Sequence, residues 1–228
     1  MSGPRPVTGP PPPGLPGGGA AADLVEETFA LGGREVVMLR PRDGDALLDE
    51  VLAEDDPADD RLPFWAELWP SGAALATLLA GRDLTGTRVL ELGCGLGLVS
   101  VTAAGSGAAE VLAADQSGEA VAFTTANAAR NGVVVRTVRC AFERPGPLLA
   151  GAPWDLVVAA DVLYEPKTVP VLVDLLPRLV GPGGEVLLAD PGRPREPEFL
   201  AGVDRSAWDR VSTPATPPVT IHHLTRRA

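Results

Sequence analysis

The chain has 228 residues, of which 45% are hydrophobic and 21% charged, and its formal net charge is −11. This length and composition are typical of one well-filled α/β domain, and the sequence contains no apolar run that approaches the length of a membrane span. The acidic charge argues against a nucleic-acid partner, because binding to a phosphate backbone needs a basic face.

The amino-terminal segment is rich in Pro, Gly and Ala. Residues Met1 to Ala22 predict a disordered leader, and they lack the charged start and apolar run of a secretory signal. We expect residues 23–228 to form a single domain, in which 23–80 cover the ligand site and 81–228 form the core.

The first elements of the domain are short. Thr28–Leu31 and Glu35–Leu39 flank Gly32 and Gly33 and predict a β-hairpin, and Asp45–Glu54 predicts a helix. Acidic residues concentrate between Asp43 and Asp60. They indicate either the solvated face of a helix and loop or an acidic rim that attracts a basic substrate.

Two of the four tryptophans lie four residues apart, just before a helix. Trp65 and Trp69 precede Pro70, and Ser71 is predicted to cap a helix over Ala73–Ala80. Taken alone, the tryptophans predict a segment anchored on the edge of a sheet.

A glycine-rich turn follows the next strand. Glu91 lies near the end of an apolar run, and Gly93, Gly95 and Gly97 come before small apolar residues at helical spacing. This pattern predicts a strand, a tight turn and a helix, with backbone close to a ligand. A dinucleotide motif needs glycine where Leu98 stands, and a carboxylate at the mouth repels a pyrophosphate and favours a cationic ligand.

Three further strands end in side chains suited to a ligand. The strand Glu110–Asp115 ends in a carboxylate at the distance where such sheets bind ribose hydroxyls. The strand Val133–Cys140 leads into Phe142. The strand Trp154–Ala160, with an apolar centre typical of a buried parallel strand, runs into Asp161 and Tyr164.

The remaining elements complete an alternating pattern. It predicts a doubly wound α/β sheet, mostly parallel, with helices on both faces and one antiparallel strand near the edge. The elements are helices at Gly118–Arg130, Lys167–Val180 and Glu196–Val203, a turn at Gly181–Gly184, and strands at Glu185–Asp190, Trp208–Thr213 and Val219–Thr225. His222 and His223 are expected to be ordinary strand residues, and the sequence supports no metal site.

The glycine motif with its acid, together with the Asp161-x-x-Tyr164 motif, resembles the class I S-adenosylmethionine-dependent methyltransferases. Within that class the chain resembles the branch of protein-lysine methyltransferases and predicted nicotinamide N-methyltransferases. The resemblance implies a Rossmann-like sheet and S-adenosyl-L-methionine as cofactor, with a stretch before the glycine motif that lies over it. The cofactor-binding residues expected on this basis are Trp69, Glu91, Gly93, Cys94, Gly95, Gly97, Asp115, Phe142 and Ala160.

The same resemblance assigns the reaction. Asp161 and Tyr164 are expected to be catalytic, and Trp65 and Tyr164 to contact the substrate. The function predicted first is methylation of a protein side-chain nitrogen, that of lysine, by a monomer without membrane or nucleic-acid partners. The alternatives are a small amine or heteroaromatic substrate, a binding or assembly module without catalysis, and a nicotinamide-dependent dehydrogenase. Because Cys94 and Cys140 are too few for a disulfide framework, we expect a reducing cytoplasmic location.

Overall fold

The computed structural model describes residues 2–7, 12, 15, 23–53 and 62–228, which form two sheets and seven α-helices. The smaller sheet contains β1 (Ser2–Pro6), β2 (Leu24–Leu31) and β3 (Arg34–Pro41). The larger contains β4 (Arg88–Leu92), β5 (Glu110–Asp115), β6 (Arg136–Arg139), β7 (Trp154–Ala160), β8 (Val180–Asp190), β9 (Trp208–Pro214) and β10 (Thr220–Arg226). The helices are α1 (Gly44–Leu52), α2 (Pro70–Ala80), α3 (Leu98–Gly105), α4 (Gly118–Arg130), α5 (Gly146–Leu149), α6 (Thr168–Leu179) and α7 (Glu196–Gly202), with a 3-10 turn at Phe64–Ala66.

The larger sheet has the order β6-β5-β4-β7-β8-β10-β9. The first five of these strands are parallel, and β10 is antiparallel to both β8 and β9. This confirms the prediction of a doubly wound sheet with one antiparallel strand near the edge. The chain order reverses between β4 and β7, and ligands of open α/β sheets bind at the carboxyl ends of the strands beside such a point.

Apolar layers cover both faces of the larger sheet. Consecutive strand residues point to opposite faces, so Val89 packs with the layer beneath α2 and α3, whereas Leu90 packs with the layer beneath α6. Leu156 and Val157 divide between the same two layers. The continuous apolar runs of these strands therefore fill two cores at once, which leaves the strand ends as the places for polar residues.

Two asparagines attach the smaller sheet to the larger one. Asn127 of α4 accepts a hydrogen bond from the Leu39 backbone N–H at 2.7 Å and donates to the Leu39 carbonyl at 3.0 Å. Asn131, one helical turn later, makes the same pair of bonds with Val37. Residues 37 and 39 lie on the outer edge of β3, so the two side chains pair backbone groups that an edge strand leaves open.

Replacing Asn127 by alanine is expected to lower the free energy of unfolding by about 2–3 kcal/mol. The side chain is fully buried, and besides Leu39 it donates to the Leu96 carbonyl at 2.9 Å, so its loss leaves several buried groups without partners. Urea denaturation measures the change. Thr125→Ala, on the exposed side of the same helix, is the control and should stay within about 0.5 kcal/mol of the wild type. Equal effects of the two substitutions would contradict the role given to Asn127.

Three local predictions need correction. Ser2–Pro6 forms β1, which pairs with β2, so these residues of the leader are not disordered; most of the remaining leader lies outside the described residues. Helix α2 begins at Pro70 with Trp69 as its N-cap, because proline suits the first helical position, and the Ser71 hydroxyl is buried rather than capping. Gly181–Gly184 lies within β8, at a break in its pairing with β7.

The acidic segment is only partly described. Helix α1 ends at Leu52, two residues before the predicted end, and residues 54–61 lie outside the described residues. The prediction of an acidic rim therefore rests on the sequence for most of its carboxylates. In the described part of the chain, every helix is too short or too polar to cross a lipid bilayer.

Candidate active site

A pocket of about 1120 Å³, counting the space that opens to solvent, lies at the carboxyl ends of β4, β5 and β7. The 3-10 turn and the start of α2 also border it. All twelve site residues predicted from the sequence line this pocket: Trp65, Trp69, Glu91, Gly93, Cys94, Gly95, Gly97, Asp115, Phe142, Ala160, Asp161 and Tyr164. The strand ends thus bring together residues up to about a hundred positions apart in the chain.

The glycine loop needs glycine for its backbone and for its neighbours. Gly93, Gly95 and Gly97 have φ values of 72°, 50° and 84°, in the left-handed region that other residues avoid. A Cβ at Gly97 would lie 2.7 Å from Thr124 Cγ2, and one at Gly95 would lie 3.3 Å from the Trp65 carbonyl oxygen. Close packing against α4 and the 3-10 turn therefore fixes the loop beside the pocket.

Asp115 links the end of β5 to the glycine loop. Its Oδ2 accepts from the Gly95 N–H at 3.0 Å, and its Oδ1 accepts from the Ser117 N–H at 2.9 Å. Burial raises the pKa of this carboxyl. Each carboxylate oxygen retains a second lone pair, so the group can also accept from hydroxyls of a ligand in the pocket.

Glu91 is more buried than the sequence suggests. Only 2% of the residue is exposed, and its Oε2 accepts from the backbone N–H of Ser100, at 2.9 Å, and from the Ser100 hydroxyl. It therefore satisfies an N–H in the first turn of α3. Burial raises the pKa of Glu91 to about 8. The carboxyl lines the pocket but is not a permanent negative charge at its mouth, so any attraction to a cationic ligand depends on pH.

The stability of the ligand-free protein is expected to fall as pH rises from about 4.5 to about 8 because of Glu91. In this range the folded state retains a proton that the unfolded state has lost, since the folded pKa is raised above the ordinary value of 4.5. Above about 8 both states are ionised and the contribution of Glu91 becomes constant. Glu91→Gln keeps an acceptor for Ser100 and removes the titration.

The measurement is the melting temperature of the wild type and Glu91→Gln at pH 5 and pH 9. The wild type should lose at least about 4 °C more than the variant between these values. Asp115, whose pKa is also raised, is present in both proteins, so the difference reports on Glu91 and on its interaction with the Asp115 charge. Identical pH profiles would contradict the assignment.

The two tryptophans occupy different ends of the pocket. The Trp65 ring lies 5.2 Å from the Phe123 ring, and its carbonyl lies against Gly95. Trp69 is 38% exposed, and its indole N–H donates to the Phe64 carbonyl at 2.8 Å. Trp65 thus lies beside the glycine loop and Trp69 toward the rim, the reverse of the order implied by the predicted roles. The ligand contacts of both residues stay predictions.

Asp161 projects from the end of β7 on a left-handed backbone, with φ 62°. Its Oδ1 accepts a hydrogen bond from the Arg193 Nε–H and forms an ion pair with one Nη atom of the same guanidinium. Its Oδ2 is buried and has no hydrogen-bond partner among the described residues. Asp161 does not cap α6, whose N-cap is Lys167, so a structural role at that helix does not account for it.

Tyr164 lies on the rim with Phe64. The two rings are 5.6 Å apart in an edge-to-face arrangement, and Tyr164 is 41% exposed. Partial burial, assisted by the charges of Glu165, Asp115 and Glu143 and opposed by Arg193, raises the pKa of Tyr164 to about 12. The phenol therefore stays protonated at neutral pH, where it can donate a hydrogen bond but cannot act as a base.

Two residues beside this site were not predicted from the sequence. Ser100 and Arg193 contact Glu91 and Asp161 directly. Arg193 lies in the loop after β8, at the same edge of the sheet as the other strand ends. That position in the sequence is the one feature that could have marked Arg193 as a candidate site residue. Among the described residues, His, Cys, Asp and Glu form no cluster arranged to hold a metal ion.

The residues present fit S-adenosyl-L-methionine. The Asp115 carboxylate can accept from ribose hydroxyls, and the absence of a Cβ at Gly93, Gly95 and Gly97 lets a ligand approach the backbone. Asp161 also lines the pocket, and its buried Oδ2, which has no hydrogen-bond partner among the described residues, retains the capacity to accept a hydrogen bond.

The sequence matches the model of a protein family described as lysine methyltransferase over residues 64–205. The electron transfer flavoprotein beta subunit lysine methyltransferase of Xenopus laevis is 34% identical over 146 residues, which cover 58% of this chain and 53% of that protein. A ribosomal protein L11 methyltransferase of Synechococcus sp. is 37% identical over 142 residues, covering 60% and 45% of the two chains. The chain thus spans about half the length of the curated relatives that it matches.

Solved structures share the fold. A 16S rRNA methyltransferase of Thermus thermophilus, in complex with AdoMet and guanosine, has a TM-score of 0.63 and 18% identity, covering 93% of this chain and 52% of that one. The N-methyltransferase NodS of Bradyrhizobium japonicum, in complex with S-adenosyl-L-homocysteine, has a TM-score of 0.58 and 16% identity, covering 80% and 97%. At these identities the likeness concerns the fold alone.

Proposed function

Since the chain belongs to the lysine methyltransferase family, we propose that it uses S-adenosyl-L-methionine to methylate the side-chain nitrogen of a protein lysine. The observation that carries the proposal is one pocket with two chemically different ends. The glycine loop and Asp115 form the end suited to the cofactor. Asp161, Tyr164 and Trp69 form the end suited to an amine.

The bound cofactor would supply an electrophilic methyl group on a sulfonium. The protein's contribution is positioning and exclusion of water. Asp115 and the glycine loop orient the donor end of the pocket, whereas Asp161 Oδ2 accepts an N–H of the incoming amine and so directs its lone pair toward the methyl group.

The acceptor must lose a proton before it can react. Lysine has an ordinary pKa of ~10.4, so the neutral amine costs roughly 4–5 kcal/mol at pH 7. Transfer into a pocket walled by Phe64, Trp69 and Tyr164 disfavours the ammonium form by desolvation. The same rings can contact the alkyl chain and accept an alkylammonium product.

A protein substrate is favoured over a small molecule by the form of the rim. Phe64, Trp69 and Tyr164 are each between 38% and 41% exposed, so the aromatic end of the pocket is accessible from the surface. A side chain that enters from a docked protein can reach it. The relatives named as lysine methyltransferases point in the same direction.

We further propose a cytoplasmic monomer without membrane or nucleic-acid partners. Cys94 and Cys140 are both free thiols, as suits a reducing compartment, and the net charge of −11 disfavours phosphate backbones.

The test uses recombinant protein and tritiated S-adenosyl-L-methionine in a lysate from cells that lack this chain. Hydrolysis of the labelled protein should yield methyl-lysine. Label confined to small molecules would instead support the amine or heteroaromatic substrate. Binding of the cofactor without any transfer would support the assembly module, and absence of cofactor binding by folded protein would overturn the proposal.

A further inference from the structure

We propose that Arg193 is a positioning residue of this reaction: it holds Asp161 by Oδ1, leaves Oδ2 for the acceptor, and favours binding of the neutral amine over the ammonium ion. The inference rests on the proposed lysine methylation and concerns how the same site selects the reactive form of its substrate. It comes from three features of the structure: the ion pair, the anchored loop and the distribution of charge around Asp161.

The ion pair occupies only one oxygen of the carboxylate. The Arg193 Nε–H donates to Asp161 Oδ1, and one Nη atom of the guanidinium contacts the same oxygen in the ion pair; the Asp161 side chain is 5% exposed. A buried carboxylate that needed only charge neutralisation could share both oxygens with a guanidinium in a parallel pair. Here the buried Oδ2 has no hydrogen-bond partner among the described residues, and Asp161 lines the pocket. The geometry suits a carboxylate that is held from one side and presents its second oxygen to a ligand.

The guanidinium also lies against the aromatic end of the pocket. Its central carbon lies 5.8 Å from the ring centroid of Trp69 and 5.8 Å from that of Tyr164. Arg193 therefore contacts three of the residues proposed to receive the amine: Asp161, Trp69 and Tyr164.

The loop that carries Arg193 is anchored at both ends. Asp190 Oδ1 accepts from the Gly192 N–H at 2.9 Å and from the Arg193 N–H at 2.6 Å. On the far side, Glu196 lies 2.7 Å from the Nε2 of buried His222, whose Nδ1 lies 2.8 Å from the Ser212 hydroxyl. These bonds hold Arg193 in place without the substrate, so the arrangement is preorganised.

The charge of Arg193 opposes an otherwise acidic surrounding. Besides Asp161, the titratable groups that line the pocket are Glu67, Glu91, Cys94, Asp115, Cys140, Glu143, Tyr164, Glu165 and Lys167, with Lys167 paired to Glu165. Asp190 adds a further carboxyl near Asp161. Its pKa is raised by burial and by the negative charges of Glu196 and Asp161. An unopposed Asp161 carboxylate would stabilise a bound ammonium ion, which has no lone pair to donate. Arg193 neutralises the charge of Asp161 and repels the ammonium ion. Binding of the neutral amine is therefore favoured relative to binding of the ammonium ion.

The transfer step then balances without a further reactant. On entry the ammonium releases one proton to solvent. The nitrogen lone pair forms the new N–C bond, the C–S bond breaks with its electron pair staying on sulfur, and the methylated product carries the positive charge.

The experiment compares wild type, Arg193→Gln, Arg193→Lys and Arg195→Gln. Arg195, two residues away, pairs with Glu198 on the surface and is the matched control. Initial rates of label transfer to lysate protein are measured from pH 6.5 to 10.5 with saturating S-adenosyl-L-methionine. Separately, calorimetry of n-butylamine binding without cofactor, at pH 8 in two buffers of different ionisation enthalpy, counts the protons released.

We expect Arg193→Gln to move the alkaline rise of kcat upward by about one to two pH units, with a falling KM at pH 7, because the ammonium then binds better. Wild type should release close to one proton per butylamine and Arg193→Gln markedly less. Arg193→Lys keeps the positive charge, so its pH profile should stay near that of the wild type. This expectation can be tested even if Arg193→Gln does not fold. The control Arg195→Gln should match the wild type in both measurements.

An unchanged pH profile and unchanged proton release in Arg193→Gln would overturn the inference, as would a shift in Arg193→Lys equal to that in Arg193→Gln. Wild-type protein that produces no methyl-lysine would instead overturn the proposed function, and the butylamine measurement would still decide whether Arg193 selects the neutral amine.

Discussion

Asp161→Asn is expected to lower kcat by about 100-fold while cofactor affinity stays within about three-fold of the wild type. Asparagine has the shape of aspartate and tolerates the left-handed backbone at this position, where φ is 62°. It offers only one acceptor oxygen. If that oxygen remains on Arg193, an NH2 group replaces Oδ2 and meets the N–H groups of the incoming amine.

The measurements are single-turnover methyl transfer and calorimetry with S-adenosyl-L-methionine and its demethylated product. Asp174→Asn is the control, because Asp174 is an exposed carboxylate on α6 that pairs with Arg178; it should leave kcat unchanged. A folded Asp161→Asn protein that methylates at the wild-type rate would remove Asp161 from the mechanism.

Gly97→Ala is expected to lower the free energy of unfolding by about 3–4 kcal/mol and to weaken cofactor binding at least about ten-fold. Two effects combine. The backbone at Gly97 has φ 84°, and the new methyl group would lie 2.7 Å from both Cγ2 and Oγ1 of Thr124. Thr124 is fully buried and donates to the Gly95 carbonyl at 3.0 Å, so it has no room to move aside.

Gly132→Ala separates the two effects. Gly132 also has a left-handed backbone, with φ 65°, but nothing lies within 4 Å of the position of its added methyl group. This control should lower the free energy of unfolding by only about 1–2 kcal/mol and leave cofactor binding intact. Urea denaturation and calorimetry provide both readouts. If Gly97→Ala were no more harmful than Gly132→Ala, the contact with Thr124 would not be what requires glycine.

The part of the site that could be predicted from sequence is the part that strand ends determine. Glu91, Asp115 and Asp161 each lie at or just after the carboxyl end of a parallel strand, and parallel strands bring those ends to one edge whatever their side chains do. The glycines could be predicted equally well, because their φ values, between 50° and 84°, leave few other residues possible.

What could not be predicted depends on side-chain direction and burial. The sequence predicts Glu91 as a charged carboxylate at the pocket mouth. In the structure its carboxyl accepts from Ser100 and is buried, and burial raises its pKa to about 8, so that it is mostly protonated at neutral pH. Trp65 and Trp69 both line the pocket, and their order along it follows from the 3-10 turn at Phe64–Ala66. A turn this short has no hydrophobic periodicity from which it could be predicted. Arg193 stands in a loop without a motif, and only the tertiary fold brings it to Asp161.

The pairing of β3 with asparagine side chains has a consequence for biosynthesis. Leu39 leaves the ribosome 88 residues before Asn127, its partner in α4. Throughout that interval the outer edge of the hairpin is an open row of N–H and C=O groups on the nascent chain, available to any other extended strand. Substitution of Asn127 or Asn131 would leave its part of the edge open in the folded protein as well, so the first visible effect in cells should be aggregation of newly made protein.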